Sequence, residues 1–95
     1  MINWTRCPTP TIHLNGTNRE DLLEQRLAVA RACSNLREAL AKATPHGRDY
    51  YLQGPDAPLE AWKIWGGRLG VIAALEILVR EEAEEIADAD DLPPQ

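Results

Sequence analysis

The chain has 95 residues, enough for a single domain, and carries a formal net charge of −5. An acidic balance argues against binding to polymeric DNA or RNA, because such binding needs a positive surface that displaces counterions. The richest apolar stretch, residues 69–79, is interrupted by Glu76 and is too short to span a bilayer, so we predict no membrane partner.

The first residues predict an extended arm over residues 1–16. Pro8 and Pro10 remove backbone donors and restrict the residues before them, which disfavours a helix. Ile12 and Leu14 alternate with polar residues, a pattern typical of short extended segments. These residues lack the apolar run of a signal peptide, and we therefore expect a cytoplasmic protein.

Residues 18–44 are predicted to form the first helix. Thr17 and Glu20 fit a capping box, in which a hydroxyl caps the first turn and a glutamate reaches back. Apolar residues then recur at spacings of three, four or seven: Leu22, Val29, Cys33, Leu36, Leu40 and Ala43. Pro45 ends the helix, because the residue before a proline avoids the helical region.

A loop at residues 45–56 leads to the second predicted helix, residues 57–88, with Pro58 tolerated in its first turn. Apolar residues cover so much of this helix that one partner helix cannot bury them all. We therefore predict an all-α fold, a long antiparallel two-helix hairpin packed as a homo-oligomeric helical bundle. The acidic segment that follows, residues 89–95, is predicted to be a disordered tail.

The second helix also contains a ridge of small residues. Gly66, Gly70 and Ala74 lie four apart, which permits close backbone approach, although each glycine weakens a helix by about 1 kcal/mol relative to alanine. The ridge is compatible with packing against the loop of the same chain or against a helix of another subunit.

A partly buried ion pair is predicted within the hairpin. Arg26 and Glu76 each fall within an apolar face, and a register with residue 43 near residue 60 places Arg26 opposite residues 76–80. Such a pair fixes the register at some cost in stability. A structural role is therefore favoured, with a ligand or catalytic role as the alternative.

Two polar clusters are candidate ligand sites. The first leads into a helix N-terminus, whose free N–H groups attract anions. The second lies in the loop, where an arginine can grip phosphate with two parallel bonds and tyrosines can stack on a base. The candidate residues are Asn15, Thr17 and Arg19 in the first cluster and Arg48, Asp49, Tyr50 and Tyr51 in the second. Alternatively, the first cluster only turns and caps the chain, and the second only fastens the loop.

In one hairpin these clusters lie at opposite ends of a helix, about 35–40 Å apart at 1.5 Å per residue. They form one site only if a second subunit packs antiparallel and brings its loop to the N-terminus of the first. Shared sites of this kind come in symmetric pairs.

The sequence contains no P-loop, no Gly-x-Ser-x-Gly motif and no His-Glu-x-x-His motif. Cys7 and Cys33 form no zinc-ligand pattern with His13 and His46. We therefore expect no enzyme activity, no metal and no cofactor.

The motif Ile-His-Leu-Asn-Gly-Thr at residues 12–17 precedes a leucine-rich helix, and Gly-Arg-Asp-Tyr-Tyr follows it at residues 47–51. Over residues 11–87 this arrangement resembles a family of small tailed-phage and prophage proteins, in which Asn often stands at the position of His46. The family has no established activity, so the resemblance implies a phage setting rather than a mechanism.

Small phage-encoded oligomers that are not enzymes often act against host defence, and some sequester nucleotide second messengers, an argument by analogy alone. We therefore expect a non-catalytic oligomeric binder, or sponge, of a small anionic ligand such as a host immune nucleotide signal. The alternative is a protein-interaction module, either a small phage structural protein or an inhibitor that docks on a host protein complex.

Overall fold

The computed structural model describes residues 4–92 and contains two long helices, α1 (Arg19–Lys42) and α2 (Ala57–Asp88). Two single-turn 3-10 helices, Gly47–Asp49 and Tyr51–Gln53, fill the connection between them. Residues 1–3 of the predicted arm and residues 93–95 of the predicted tail lie outside the described residues.

The two helices pack against each other in antiparallel orientation. The Arg19 side chain at the start of α1 bonds the Ile86 carbonyl near the end of α2. The Trp65 indole near the start of α2 donates to the Leu40 carbonyl near the end of α1. The molecule is therefore narrow, 70 Å long and 21 by 17 Å across. The predicted all-α class with two packed helices is confirmed for residues 4–92.

Asn18, and not Thr17, caps α1. Its Oδ1 accepts a hydrogen bond from the Asp21 backbone N–H at 2.8 Å, and its Nδ2 donates to the Asp21 carboxylate at 3.1 Å. This cap puts Asp21 at the third helical position, where a negative charge is favoured by the helix dipole. The predicted capping box of Thr17 and Glu20 is therefore wrong by one residue.

Prolines set the two inner helix ends. α1 ends at Lys42 shortly before Pro45, and α2 begins at Ala57 with Pro58 in its first turn, as predicted. The Trp62 indole donates to the Pro45 carbonyl at 2.6 Å. This bond fastens the connection to α2.

The buried residues are concentrated in one half of the hairpin. Within residues 4–92, six hydrophobic residues are buried: Ile12, Ala30, Cys33, Val79, Ala83 and Ile86. No residue from 34 to 75 reaches their degree of burial. We call residues 4–33 together with residues 76–92 the closed end, and residues 34–75 the loop end. The closed end has a packed core, whereas the loop end consists mostly of half-exposed side chains.

The segment before α1 runs beside α2 toward its C-terminus. The Trp4 indole donates to the Val71 carbonyl at 2.9 Å, and the Ile12 carbonyl accepts from the Leu92 N–H at 2.7 Å. Residues 89–92 are thereby held against the rest of the chain, by Ile12 and by Arg19. The prediction of a disordered tail is therefore wrong for these four residues.

The prediction that Arg26 pairs with Glu76 is also wrong. Arg26 Nε contacts Glu82 Oε1 at 3.2 Å, while Glu76 contacts Arg37 at 2.9 Å and Arg80 at 3.0 Å. Helical side chains tilt toward the N-terminus of their own helix. In an antiparallel pair this tilt carries Arg26 toward the C-terminal part of α2, where Glu82 lies. The same tilt carries Glu76 toward the C-terminal part of α1, where Arg37 lies.

The two buried acids differ in how well they are bonded. Glu82 accepts from Arg26 Nε and from the Cys7 backbone N–H at 3.0 Å. Glu76 accepts an aligned bond from Arg80, but its Oε1 lies 2.9 Å from Arg37 without hydrogen-bond alignment. We therefore treat the Arg37 contact as an ion pair only.

Neither α1 nor α2 includes a stretch that is both long and apolar enough to cross a bilayer. Both cysteines are free thiols. Cys33 is buried, in agreement with its place in the apolar pattern of α1, and Cys7 is exposed.

Candidate functional site

The candidate ligand residues lie at the two ends of α1. Asn15 and Thr17 precede the helix and are exposed, whereas residues 48–51 follow it, on the two 3-10 helices and at Tyr50 between them. The 24 residues of α1 separate the clusters by about 36 Å at 1.5 Å per residue. A single chain therefore does not bring the two clusters together.

The segment before α1 makes a tight turn. The Gly16 N–H donates to the His13 carbonyl at 3.2 Å, and a Cβ on Gly16 would lie only 2.7 Å from His13 Nε2. Glycine is therefore required here unless the imidazole moves. Asn15 and Thr17 flank the turn with exposed side chains.

The Arg19 side chain has a structural role, because its donors are bonded within the chain. Its Nε bonds the Ile86 carbonyl at 3.3 Å, and its Nη2 bonds the Ala89 carbonyl and contacts the Asp91 carboxylate at 2.7 Å. Such carbonyls are the free acceptors of a helix C-terminus, where a cation is favoured. Arg19 therefore belongs to the closed end, and we remove it from the candidate ligand residues.

The loop cluster leaves its arginine free. His46 Nδ1 accepts from the Arg48 backbone N–H at 3.2 Å and caps the first 3-10 helix. The ion pairs within residues 4–92 include neither Arg48 nor Asp49, so no salt bridge between them fastens the loop. Tyr50 is half-buried, and Tyr51 is 63% exposed.

Two of the eight arginines stand apart from the rest. Six form ion pairs with carboxylates: Arg6, Arg19, Arg26, Arg31, Arg37 and Arg80. The other two, Arg48 and Arg68, lack an acidic partner among the described residues, and both belong to the loop end. The Arg68 guanidinium lies over the Trp65 ring, 4.9 Å from its centroid. This cation–π contact leaves the guanidinium N–H groups available to an anion.

A cleft of about 350 Å³ brings Arg68 and Tyr50 together at the start of α2. Gln53, Trp65 and Glu60 also line it. Its volume falls within the range of small-molecule sites, about 300–1,000 Å³. Arg68, Gln53 and Trp65 are not among the residues predicted from sequence. The available signal was the three-residue spacing of Trp65 and Arg68, which places ring and guanidinium on one helix face.

A second cleft, of about 470 Å³, lies beside the turn before α1. His13, Asn18, Arg19 and Asp91 contribute to its lining. The Arg19 charge is already balanced by Asp91 in this cleft. Within one chain, this cleft is therefore a weaker anion site than the cleft at the loop end.

Charge is distributed unevenly along the hairpin. Residues 42–68 include four basic and three acidic side chains, whereas residues 80–92 include one basic and seven acidic side chains. Arg6 contacts Glu81 and Glu85, and the hydrogen bond to Glu81 raises the pKa of the Arg6 guanidinium. The closed end remains strongly acidic, so an anion is favoured at the loop end.

Within residues 4–92, no group of three or more His, Cys, Asp or Glu side chains is arranged to hold a metal ion. The loop-end cleft offers guanidinium and amide donors beside aromatic rings, which suits non-covalent recognition of a planar anionic ligand. No protein-family model, curated protein or solved structure matches the chain.

Proposed function

We propose that the chain is a non-catalytic, homo-oligomeric binder of a small anionic ligand, for which a nucleotide is the best match. The observation that carries the proposal is the pair of loop-end arginines, Arg48 and Arg68, that have no acidic partner among the described residues. An arginine without a carboxylate partner keeps its fork of donors available to a phosphate.

The residues that line the cleft with Arg68 suit the remainder of a nucleotide, whereas Arg48 lies outside this lining, on the 3-10 helix Gly47–Asp49. The Trp65 indole N–H bonds the Leu40 carbonyl at 2.6 Å, which holds the ring in place. Aromatic rings stack on bases with about 1–3 kcal/mol per base, and Tyr50 offers a second ring. The Gln53 amide both donates and accepts, as recognition of a base edge requires. The Glu60 carboxylate repels phosphate, which favours a pose with the phosphate toward Arg68.

The phage resemblance guides the choice of ligand. We propose a host immune nucleotide signal, sequestered without chemical change by an anti-defence protein in the host cytoplasm. Binding alone is sufficient for this role, since the signal is lost once the free nucleotide is depleted.

Calorimetric titration with AMP, ATP, cyclic di-AMP and cyclic ADP-ribose tests the proposal. We expect at least one of them to bind with a Kd of about 1 μM or tighter, and to be recovered intact after denaturation. Arg48→Ala and Arg68→Ala should each weaken binding by about tenfold or more, the equivalent of one charge-assisted hydrogen bond.

The matched control is Arg31→Ala, which removes an exposed arginine that pairs with Glu24 on the surface of α1. Its affinity should equal that of the wild type. Turnover of the bound nucleotide, or an equal loss of affinity in the control, would contradict the proposal.

A second candidate function is a protein-interaction module, either a small phage structural protein or an inhibitor of a host protein complex. It is favoured by an apolar groove of about 1020 Å³ at the loop end. In that case none of the nucleotides binds, and the purified chain forms a stoichiometric complex with a different protein.

A further inference from the structure

We infer that the apolar face of the loop end is covered by a second copy of this chain, packed antiparallel about a twofold axis near the middle of α2. The inference deepens the proposed function by identifying the subunit contact. Only its consequence for the ligand site rests on that function.

The first observation is an uncovered groove between the helices. Trp4, Leu36, Leu40, Ile64 and Val71 line a space of about 1020 Å³. Leu36 and Ile64 are each 47% exposed. The segment of residues 4–12 covers one side of α2 from Val71 toward the closed end and leaves Ala74 and Ile77 exposed. The groove continues from Val71 toward the loop. Apolar side chains exposed together in this way mark an interaction surface.

The second observation concerns the small residues of α2 beside this groove. A Cβ added to Gly66, Gly67 or Gly70 would meet nothing within 4 Å. The loop of the same chain therefore does not pack on this ridge, which decides against one of the two alternatives left open by the sequence. A ridge without side chains permits another helix to approach closely.

Charge identifies the occupant as a second copy and sets its direction. Residues 80–92 include seven acidic side chains, while residues 42–68 include four basic and three acidic ones. A parallel dimer would place the two acidic ends side by side. An antiparallel dimer places each acidic end beside the loop end of the other copy, which is electrostatically complementary.

The residue spacing gives a register for this contact. Lys63, Gly70, Ala74, Ile77 and Glu81 are separated by seven, four, three and four residues, so they share one face of α2, and all are exposed. When Gly70 of one copy lies opposite Ala74 of the other, Lys63 lies opposite Glu81. The Lys63 ammonium has no ion pair among the described residues, and the Glu81 side chain is 47% exposed beside Arg6.

The same register has a consequence for the ligand site. It brings the start of α2, where the Tyr50 cleft lies, level with the end of α2 in the other copy. Arg19 ties the start of α1 to that end of α2. The second copy therefore brings its exposed Asn15 and Thr17 level with the cleft along the long axis of the dimer.

Sedimentation of the full chain without nucleotide tests the dimer. We expect a dimer at about 100 μM and a loss of association of about 100-fold or more in Ala74→Arg, which places a charge at the centre of the interface. The matched control, Ala32→Arg, carries the same change at an exposed alanine of α1 and should remain a dimer. Lys63→Glu should weaken the dimer by about tenfold, because it adds a like charge opposite the acidic end.

A spin label at Leu59→Cys, in a Cys7→Ser, Cys33→Ala background, tests the direction. With Gly70 opposite Ala74, the twofold axis passes at the level of Ile72. Leu59 lies thirteen residues before Ile72, so the antiparallel register separates the two labels by about 39 Å at 1.5 Å per residue. A parallel dimer would instead give about 10–20 Å, the distance between adjacent helices plus the labels.

A monomeric wild type at about 100 μM, a dimeric Ala74→Arg variant with unchanged helix content, or the short label distance would each overturn the inference. If Ala74→Arg loses helix content, the variant is misfolded and does not report on the interface. The Lys63→Glu variant and the label distance then decide whether the antiparallel dimer exists. An antiparallel dimer that binds no nucleotide would support the inference and contradict the proposed function. A monomer that binds nucleotide would contradict the inference and the oligomeric part of the proposed function, and would support the ligand-binding part.

Discussion

The two ends of this hairpin use the same pair of helices in different ways. At the closed end a third layer, residues 4–12, lies against α2, and Ile86 is completely buried. At the loop end, beyond the bond between Trp4 and Val71, the helices pack mainly on each other and on the connection between them. Ile64, a residue of the same type, remains 47% exposed there. The comparison teaches that two helices alone bury little, and that the chain gains a core only where a third segment is added. The free energy of unfolding should therefore depend mainly on the closed end.

The largest expected effect comes from truncating one isoleucine at each end. Ile86→Ala should lower the free energy of unfolding by about 2–5 kcal/mol, because it leaves a cavity in the core. Ile64→Ala should cost about 1 kcal/mol or less in the protomer, because half of that side chain already meets water. Urea denaturation at two protein concentrations measures both, and the cost of Ile64→Ala should grow with concentration if a second copy covers the groove. Equal costs at low concentration would contradict the division into two ends.

Next in size is the buried carboxylate of the closed end. Glu82→Ala should lower the free energy of unfolding by about 2–4 kcal/mol, because Arg26 and the Cys7 N–H lose their acceptor in a largely dry site. The matched control is Glu24→Ala, whose partner Arg31 is exposed, and it should cost less than about 1 kcal/mol. Chemical denaturation of both variants measures their free energies of unfolding. A small effect of Glu82→Ala would show that water reaches this pair.

A smaller effect tests which residue caps the N-terminus of α1. Asn18→Ala should cost about 1 kcal/mol, because the Asp21 N–H loses its cap, whereas Thr17→Ala should cost almost nothing. Thermal unfolding of the two variants measures the difference. A larger cost for Thr17→Ala than for Asn18→Ala would instead support the capping box predicted at Thr17.

The smallest predicted change is a gain in stability at the loop end. Gly66→Ala should raise the free energy of unfolding by about 0.8–1 kcal/mol, because the new methyl group meets nothing and alanine favours the helix. Denaturation at a low protein concentration, where protomers dominate, is the suitable measurement. A loss of stability there would reveal a contact within the chain on this face.

Periodicity and proline positions were sufficient to predict the helices, and the bounds of α2 agree with the prediction. They did not predict the position of residues 89–92, because the bond between Leu92 and Ile12 joins distant parts of the sequence. They also predicted the wrong partner for Arg26. The observed partner, Glu82, depends on the tilt of side chains toward the N-terminus of their own helix, and not only on the position of each residue along the helix axis. Glu82 lies only two residues beyond the stretch 76–80 that the predicted register placed opposite Arg26.

The candidate site was predicted in part for a similar reason. Arg48 and Tyr50 stand out because they lie in a long loop between helices. Arg68 does not, because an arginine on one helix can find its acidic partner on the other helix, as Arg26 of α1 finds Glu82 of α2. Whether an arginine is free becomes visible only when every possible partner has been located in space.

The segment of residues 4–12 also affects how the chain folds. Its bonds to α2 and to Leu92 join residues 67–80 positions apart, whereas the hairpin itself closes over a short connection. Contacts of long sequence separation form late, because a large loop must close first. We expect the hairpin to assemble rapidly and this segment to dock last, which completes the core around Ile12. Pulse-labelled hydrogen exchange should then show the Cys7 and Leu92 amides becoming protected after those of α1 and α2. In native-state exchange the same two amides should open first, at a free energy below that of global unfolding.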